Sequence, residues 1–387
     1  MPRPIEDYAL IGDTHTAALV GRDGSIDWLC LPRFDSGACF AALLGTPDHG
    51  RWLLAPAGGV RRTRRRYRGH TLVLETEFET DDGVVQVVDC MPHRHHYADV
   101  VRLAVGVSGR VPMRMELAMR FDYGSIVPWV RRVGDALLAI GGPDALTLRA
   151  PVPVRGESLT TVADFTVAAG QRLPFSITWH PSTDPSPEAI DVEQMIGETE
   201  RWWADWAARG TYEGEWTDAV VRSLVTLKAL TYEPTGGIVA AATTSLPECL
   251  GGVRNWDYRY CWVRDATFTL YALMVAGYSE EASAWRDWLL RAVAGDPRDL
   301  QIMYGPAGER RLTELELDWL PGYEGSRPVR IGNAASRQFQ LDVYGEIFDA
   351  LYQARQRGML GDADGWRVGL ALLEHLEKVW SEPDEGI

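Results

Sequence analysis

The sequence predicts a protein of more than one domain, with an N-terminal antiparallel β-sandwich followed by a domain of α-helices. Short apolar or alternating runs, separated by glycine and proline, fill the first half of the chain. After about residue 186 the apolar residues recur at the helical period instead. Four of the 15 tryptophans precede residue 200 and 11 follow it. Because most of the tryptophans lie in the helical half, a ligand site that uses aromatic rings is expected there.

Residues 1–185 are predicted to form the β-sandwich domain. Its clearest strands are TLVLETEFET, VVQVVDCMP, VVRLAVGVSG and MRMELAMRFDYG, which begin at residues 71, 84, 100 and 113. Asp82-Gly83 is a hairpin signal between the first two strands, and Ser108-Gly109 is interpreted as a turn between the last two. The final strand is expected to end near Pro181, because the following STDPSP resists regular structure.

Residues 186–211 are predicted to form a linker helix, and residues 212–387 a layer of helical hairpins. The linker helix is carried by PEAIDVEQMIGETERWWADWAARG, which ends at Gly210. Five further helical stretches are predicted over residues 217–232, 265–278, 280–295, 334–358 and 365–380. Three of them end at Gly277, Gly295 and Gly358, where the residue after a helix commonly adopts a positive φ.

The composition favours a globular protein with a small neutral ligand. The hydrophobic content of 46% and the charged content of 24% are ordinary for such a protein. A net charge of −15 disfavours nucleic acid and anionic membranes as partners. The five cysteines form no CxxC motif, which argues against a zinc site and a disulfide framework. Because neither a signal peptide nor a membrane-length apolar stretch is evident, a cytoplasmic location is predicted.

The segment RNWDYRYCWVRDATFTL, residues 254–270, places five aromatic rings beside Arg264 and Asp265 at the predicted start of a helix. Rings that stack on a sugar face, together with a guanidinium and a carboxylate for its hydroxyls, would recognise a pyranose. A structural interpretation stays open, with Asp265 as the helix N-cap and the rings as core. Two polar, glycine-rich loops, TTSLPECLGGVRNW and LPGYEGSRPVRIGNAA, precede helices and favour a pocket.

Three long motifs resemble glycoside hydrolase family fifteen, the glucoamylase and bacterial trehalase group. They are ALIGDTHTAALVGRDGSIDWLCLPRFDS, TTSLPECLGGVRNWDYRYCWVRDATFTLYAL and GYEGSRPVRIGNAASRQFQLDVYGE, and they follow the family's order. The resemblance implies a β-sandwich, a linker helix and an (α/α) toroid of six helical hairpins, here incomplete at the C-terminus. It also implies inverting hydrolysis of a terminal α-linked glucose, in trehalose or in maltooligosaccharides.

The same resemblance implies which residues bind the substrate. The family's YxxxWxRD pattern falls on Tyr258, Trp262, Arg264 and Asp265, which would line the subsite for the non-reducing glucose. Arginine and aspartate would bind the outer hydroxyls there, while tyrosine and tryptophan would pack near the reacting carbon. The remaining pocket-lining residues implied are Tyr323, Ser326 and Arg330 in the second loop, and Gln340 and Asp342 further along the chain.

An inverting glycosidase also needs two carboxyl groups, an acid and a base roughly 6.5–9.5 Å apart. In the family the acid lies in a motif resembling DEGIWE, whereas this chain ends in DEGI. The acid and the base are therefore expected beyond Ile387, no catalytic residue is assigned, and the chain is predicted to be a fragment. Its acidic end, with Glu382, Asp384 and Glu385, is expected to be disordered.

Carboxylates inside the chain are the alternative source of an acid–base pair. Asp342 and Glu346 are spaced to share one helix face. Glu314, Glu316 and Asp318 alternate, so an extended segment would aim them in the same direction. A solvated helix face and a polar loop are the structural interpretations of these two sets.

A histidine-rich motif and an arginine-rich run are predicted to have no catalytic or binding function. His93, His95 and His96 lack further ligands at zinc spacing, so no metal site is predicted. The basic run RRTRRRYRG, residues 61–69, is interpreted as a solvated hairpin edge.

A non-catalytic sugar-binding protein is the main rival function, and a polysaccharide lyase is disfavoured because the helical half lacks a basic cluster. No organic cofactor is implied, a small carbohydrate is the expected partner, and an incomplete toroid would favour self-association.

Overall fold

The computed structural model describes residues 2–356, 358 and 363–386, and the chain divides into two compact units. The N-terminal unit contains Met1–Ala208 together with Trp319–Arg327. The C-terminal unit contains Arg209–Asp318 together with Pro328–Ile387. Within the described part of the chain, no helix is long and apolar enough to cross a membrane.

The N-terminal unit contains a large sheet of 15 strands, all paired antiparallel. The strands are β1 Tyr8–Gly12, β2 Ala17–Gly21, β3 Ser25–Cys30, β4 Ala38–Phe40, β5 Arg51–Pro56, β6 Val60–Tyr67, β7 Leu74–Thr80, β8 Gly83–Cys90, β9 Ala98–Ala118, β10 Trp129–Val133, β11 Ala136–Gly141, β12 Asp144–Arg149, β13 Arg155–Glu157, β14 Thr160–Ala168 and β15 Arg172–Pro181. The predicted antiparallel class and the predicted end near Pro181 are confirmed.

Strand β9 is shared by two groups of strands. Its first half pairs with β8 and β15, and its second half pairs with β5 and β14. Buried apolar side chains from both groups, among them Leu54, Val87, Met113 and Ile177, form one hydrophobic core. The alternation of inward apolar and outward polar residues along the strands produces this core.

The predicted turn at Ser108-Gly109 is wrong, because β9 continues through it. Gly109 has a φ of 68°, and a Cβ atom there would lie 2.0 Å from the carbonyl oxygen of Asp82. The next residue, Arg110, donates its backbone N–H to that same oxygen at 3.0 Å. The glycine therefore marks the point where β9 changes partners, and its sequence signal resembles that of a turn.

The basic run at residues 61–69 lies largely in β6, which pairs with the acidic strand β7. Arg66 and Arg68 bind the carboxylate of Glu75 at 2.7 and 2.6 Å, and Arg64 lies 3.3 Å from Glu77. Most of these arginine side chains are exposed to solvent. The interpretation as a solvated hairpin edge is confirmed, since carboxylates on the neighbouring strand compensate the charge.

Six α-helices occur in the described residues. They are α1 Val192–Ala207, α2 Thr217–Ala229, α3 Val263–Val275, α4 Ser279–Ala292, α5 Asp342–Gln356 and α6 Ala363–Val379. Short two-residue strands lie between the helices of the C-terminal unit: β16 Thr231–Tyr232, β17 Gly237–Ile238, β18 Cys261–Trp262, β19 Met303–Tyr304, β20 Leu315–Glu316 and β21 Arg330–Ile331. Asp191 caps α1 by accepting from two backbone N–H groups, so the predicted linker helix begins five residues later than its sequence pattern.

The positive φ values predicted after three helices are confirmed. Gly277, Gly295 and Gly358 have φ values of 95°, 131° and 76°. Helix α3 packs against both α4 and α5. This arrangement brings the first turns of α3 and α5 together and so positions the candidate site.

The single helix predicted over residues 334–358 is wrong at its start. A short 3₁₀ helix spans Ala334–Arg337, and α5 begins only at Asp342. Between them the backbone N–H groups of Phe339 and Leu341 donate to the carboxylates of Glu385 and Asp384 at 3.1 and 2.8 Å. The expectation of a disordered acidic end is also wrong, because these hydrogen bonds hold it against the chain.

Candidate functional site

The first turn of α3 carries the two charged residues that the sequence singled out. Trp262 is the N-cap and offers no capping oxygen, whereas Asp265 is the third residue of the helix, so the interpretation of Asp265 as N-cap is wrong. Arg264 Nη1 donates to Asp342 Oδ2 at 2.7 Å, and both side chains are about two-fifths exposed, at 38% and 42%. This ion pair joins the start of α3 to the start of α5.

Asp265 lies beside this ion pair, and the residue as a whole is exposed to solvent. Nearby protein removes part of its hydration and raises its pKa above the ordinary value, although the positive charge of Arg264 acts in the opposite direction. Its position near a helix N-terminus favours the ionised form. An accessible carboxylate of this kind can accept hydrogen bonds from two hydroxyl groups of a ligand.

Glu346 lies one turn after Asp342 on α5 and completes a cluster of carboxylates around Arg264. Partial burial raises the pKa of Glu346, as do the negative charges of Asp342 and Asp349, while Arg264 lowers it. The site residues implied by the family resemblance did not include Glu346. The i,i+4 spacing from Asp342 was the signal that identified it as an alternative.

The aromatic side of the site is formed by Tyr258 and Trp262. Their ring centroids are 6.1 Å apart with the planes tilted by 39°, and the Arg264 guanidinium lies 6.0 Å from the Trp262 ring. Trp262 is buried, and its indole N–H has no hydrogen-bond partner among the described residues. Buried donors are nearly always satisfied, and this N–H, like that of Trp285, is an exception among the described residues.

A pocket of about 360 Å³ opens beside Arg264 and Asp265, between α2 and α3. Its apolar wall includes Leu227, Leu230, Ile238 and Phe268. The pocket therefore combines an apolar surface with a few polar groups, as small-molecule sites usually do.

A buried ion pair holds the loop that carries Tyr258. Asp257 is fully buried and accepts from Arg259 Nη2 at 2.6 Å, Arg259 Nε at 2.9 Å and the Gly332 backbone N–H at 3.1 Å. Asn333 Nδ2 donates to the Asp257 carbonyl at 3.1 Å. The sequence analysis missed this role, because the partners at 332–333 lie about 75 residues away along the chain.

Arg330 lies in the second loop, as predicted, but most of its interactions are internal. Its guanidinium lies 4.7 Å from the Trp256 ring centroid and within 3.4 and 3.3 Å of Glu314 and Glu316. The two glutamates share one face of an extended segment, as the alternation predicted. Their charges compensate Arg330.

The remaining predicted site residues have separate environments. Tyr323 and Ser326 are buried in the N-terminal unit, where the Tyr323 hydroxyl donates to the Arg3 carbonyl at 3.0 Å. Gln340 is buried just before α5, and its side chain donates to Gln338 Oε1 at 2.9 Å. The implied pocket-lining role of these three residues stays a prediction.

The histidines and cysteines for which no chemical function is predicted have local structural environments. His93 stacks on Trp202 with ring centroids 4.4 Å apart. No group of His, Cys, Asp or Glu suited to a metal ion occurs in the described residues. All five cysteines are free thiols, and four of them are buried.

Comparison with known proteins shows which family the chain resembles. Residues 214–387 match the family model described as "Glycosyl hydrolases family 15", and residues 1–172 match the one described as "Trehalase-like, N-terminal". The resemblance to glycoside hydrolase family fifteen is confirmed. The second match shows that residues 1–172 are similar to the N-terminal region of trehalase-like proteins.

Curated relatives of the chain include two mycobacterial proteins named trehalase. The one from Mycolicibacterium smegmatis is 36% identical over 418 residues, covering 99% of this chain and 62% of the relative. The one from Mycobacterium tuberculosis is 35% identical and covers 99% and 61%. The chain thus spans about three-fifths of the length of these relatives. The comparisons do not show it to be a fragment, and that expectation stays a prediction.

A solved bacterial glucoamylase, determined in complex with acarbose, has a similar fold. It matches with a TM-score of 0.66 at 10% identity, covering 98% of this chain and 59% of that chain. At this level of identity the likeness concerns the fold alone. A large N-terminal antiparallel sheet followed by helices is therefore common to both proteins.

Proposed function

We propose that the chain is a trehalase-type glycoside hydrolase, in which the first turns of α3 and α5 hold the terminal α-linked glucose of trehalose. The observation that carries the proposal is the buried, unpartnered indole N–H of Trp262 beside the Arg264–Asp342 ion pair. The proposal includes inverting hydrolysis by an acid and a base, which the family resemblance places beyond Ile387.

The chemistry of the site suits a pyranose. The tilted rings of Tyr258 and Trp262 offer an aromatic surface, and the Trp262 N–H offers a donor. Asp265 can accept from two sugar hydroxyls, while Arg264 can donate to others from the guanidinium nitrogens that Asp342 does not engage. The apolar wall of the neighbouring pocket can face the C–H groups of the sugar.

Six relatives named trehalase favour trehalose over maltooligosaccharides as the substrate. We also infer that the helices of the C-terminal unit belong to an (α/α) toroid. The glucoamylase-like fold and the packing of α3 against α4 and α5 support this inference.

The test is an assay of the purified 387-residue chain with trehalose and with maltotriose. Binding is followed by tryptophan fluorescence and turnover by glucose release, with Asp265→Ala as the control. Binding of trehalose that is lost in Asp265→Ala supports the site. An unchanged affinity in that variant, or a wild-type chain that binds neither sugar, would refute it.

Glucose release decides where the acid and the base lie. Release from bound trehalose would place both groups within the 387 residues, and Asp342 and Glu346 would be the first pair to substitute. Binding without release would leave the acid and the base where the family resemblance places them. It would also favour the non-catalytic sugar-binding function for these residues on their own.

A further inference from the structure

Two carboxylates close to Ile387 hold the backbone that leads into α5. Glu385 Oε2 accepts from the Phe339 N–H at 3.1 Å, and the Glu385 N–H donates to the Phe339 carbonyl at 2.8 Å. Asp384 Oδ2 accepts from the Leu341 N–H at 2.8 Å. We call Asp384 and Glu385 the acidic clasp.

The clasp stabilises a helix start that lacks a cap of its own. Leu341 precedes the first residue of α5 and has no side-chain oxygen to accept from the first turn. The Asp384 carboxylate brings a negative charge close to this helix terminus, where it is favourable. Its other oxygen, Oδ1, accepts from the Gly386 N–H at 2.6 Å, which fixes the orientation of the carboxylate.

The anchored residues flank two of the predicted sugar-binding residues. Phe339 and Leu341 lie on either side of Gln340, and Leu341 directly precedes Asp342, which pairs with Arg264 at 2.7 Å. A shift of the backbone at Leu341 therefore displaces the Asp342 carboxylate from Arg264. It also changes where the Arg264 guanidinium can donate to a ligand.

We propose that Asp384 and Glu385 are positioning residues for sugar binding. They fix residues 339–342 so that Asp342 orients Arg264 for the hydroxyls of the bound glucose. This inference rests on the proposed function. Neither residue touches the sugar, and both act through the backbone to which they are hydrogen-bonded.

The competing explanation is that the clasp only anchors its own chain segment. Removing such an anchor would loosen residues 380–386 and leave sugar affinity unchanged. A positioning role requires instead that affinity falls while the fold persists. Both clasp side chains are exposed, so their replacement leaves no buried charge and the variants are expected to fold.

The experiment compares three double variants of the full chain by calorimetric titration with trehalose. Asp384→Ala with Glu385→Ala removes the accepting oxygens, whereas Asp384→Asn with Glu385→Gln keeps an oxygen in each place. Glu374→Ala with Glu377→Ala removes two exposed charges from α6 as the matched control. The Kd for trehalose is expected to rise about tenfold in the first variant and to stay within about threefold in the other two.

Amide hydrogen exchange of Phe339 and Leu341 provides a readout that needs no ligand. We expect exchange at both amides to accelerate in the alanine variant and to stay slow in the Asn/Gln variant. If the wild-type chain binds trehalose and the alanine variant binds it equally well, the positioning role is overturned and the proposed function stands. Unchanged exchange in the alanine variant would also overturn it. A wild-type chain that binds no trehalose contradicts the proposed function itself.

Discussion

Trp262 combines an indole N–H that is buried without a partner in the described structure with a position beside Arg264 in the proposed sugar site. Trp262→Phe keeps an aromatic ring, although a smaller one, and removes this donor. We expect trehalose affinity to fall by about 0.5–1.5 kcal/mol, the usual net contribution of one hydrogen bond. Stability is expected to fall, because the smaller phenyl ring leaves buried volume unfilled and removal of the unsatisfied N–H offsets only part of that loss. Calorimetric titration and thermal unfolding measure the two quantities.

Trp285→Phe is the matched control for this prediction. Trp285 is another buried tryptophan of the C-terminal unit whose indole N–H has no partner in the described residues, but it lies on α4. Its replacement is expected to leave trehalose affinity unchanged. Equal losses of affinity in both variants would mean that the effect of Trp262→Phe is a general packing effect.

The pH dependence of binding is set by Asp265. Partial loss of hydration raises the pKa of this carboxyl, so affinity should begin to fall, as pH decreases, at a higher pH than for an aspartate of ordinary pKa, about 3.9. A raised pKa in the folded chain means that protonation of this group favours folding. The loss of affinity is therefore not unfolding caused by Asp265.

The measurement is the Kd for trehalose between neutral and mildly acidic pH. Asp265→Asn is the control, which should bind weakly and with little pH dependence over the same interval. A wild-type affinity that stays constant down to the ordinary aspartate pKa would contradict the role of Asp265 as the accepting carboxylate.

Individual residues also show what the sequence could predict. Arg264, Asp265 and Asp342 were implied by family motifs, and the structure brings the three together. The buried pair of Asp257 and Arg259 was missed, because a carboxylate in a loop reveals its burial only when its distant partners are known. Sequence spacing predicts neighbours on one helix, such as Asp342 and Glu346, far better than contacts between loops.

Among the elements, β9 shows how a turn signal can conceal a continuous strand. Gly109 needs a positive φ and a close approach to Asp82, so Gly109→Ala should destabilise the chain by roughly 1–3 kcal/mol. Urea unfolding measures this loss. Gly156→Ala is the control, because a Cβ atom there meets nothing within 4 Å. Equal stability of the two variants would show that the backbone at Gly109 is not strained by a side chain.

Helix α5 begins later than predicted, because local periodicity does not reveal the break that precedes it. The apolar pattern of residues 334–358 continues through the break, and the groups that hold it open are Asp384 and Glu385, more than 40 residues later. Whether a segment forms a strand or a helix was largely predictable from the spacing of its apolar residues and from the turn residues around it. The boundaries depended on hydrogen bonds between segments far apart in the chain.

For the whole molecule, the sequence motifs predicted the order of a β-rich unit followed by a helical one. The matches to family models at residues 1–172 and 214–387 agree with that order. The cytoplasmic location, the self-association and the domain boundaries at 185 and 211 stay predictions. A compact unit need not be continuous in sequence. Residues 319–327 group with the N-terminal unit although they lie late in the chain.

The central claim is that the first turn of α3 binds the terminal glucose of trehalose. The most direct measurement is a calorimetric titration of trehalose into the wild-type chain, Asp265→Ala, and Asp287→Ala, in which an exposed carboxylate on α4 is removed. We expect the wild-type chain and Asp287→Ala to bind trehalose with similar Kd. For Asp265→Ala we expect a Kd at least about tenfold higher, a loss of about 1.4 kcal/mol. Equal binding by all three proteins would contradict the central claim.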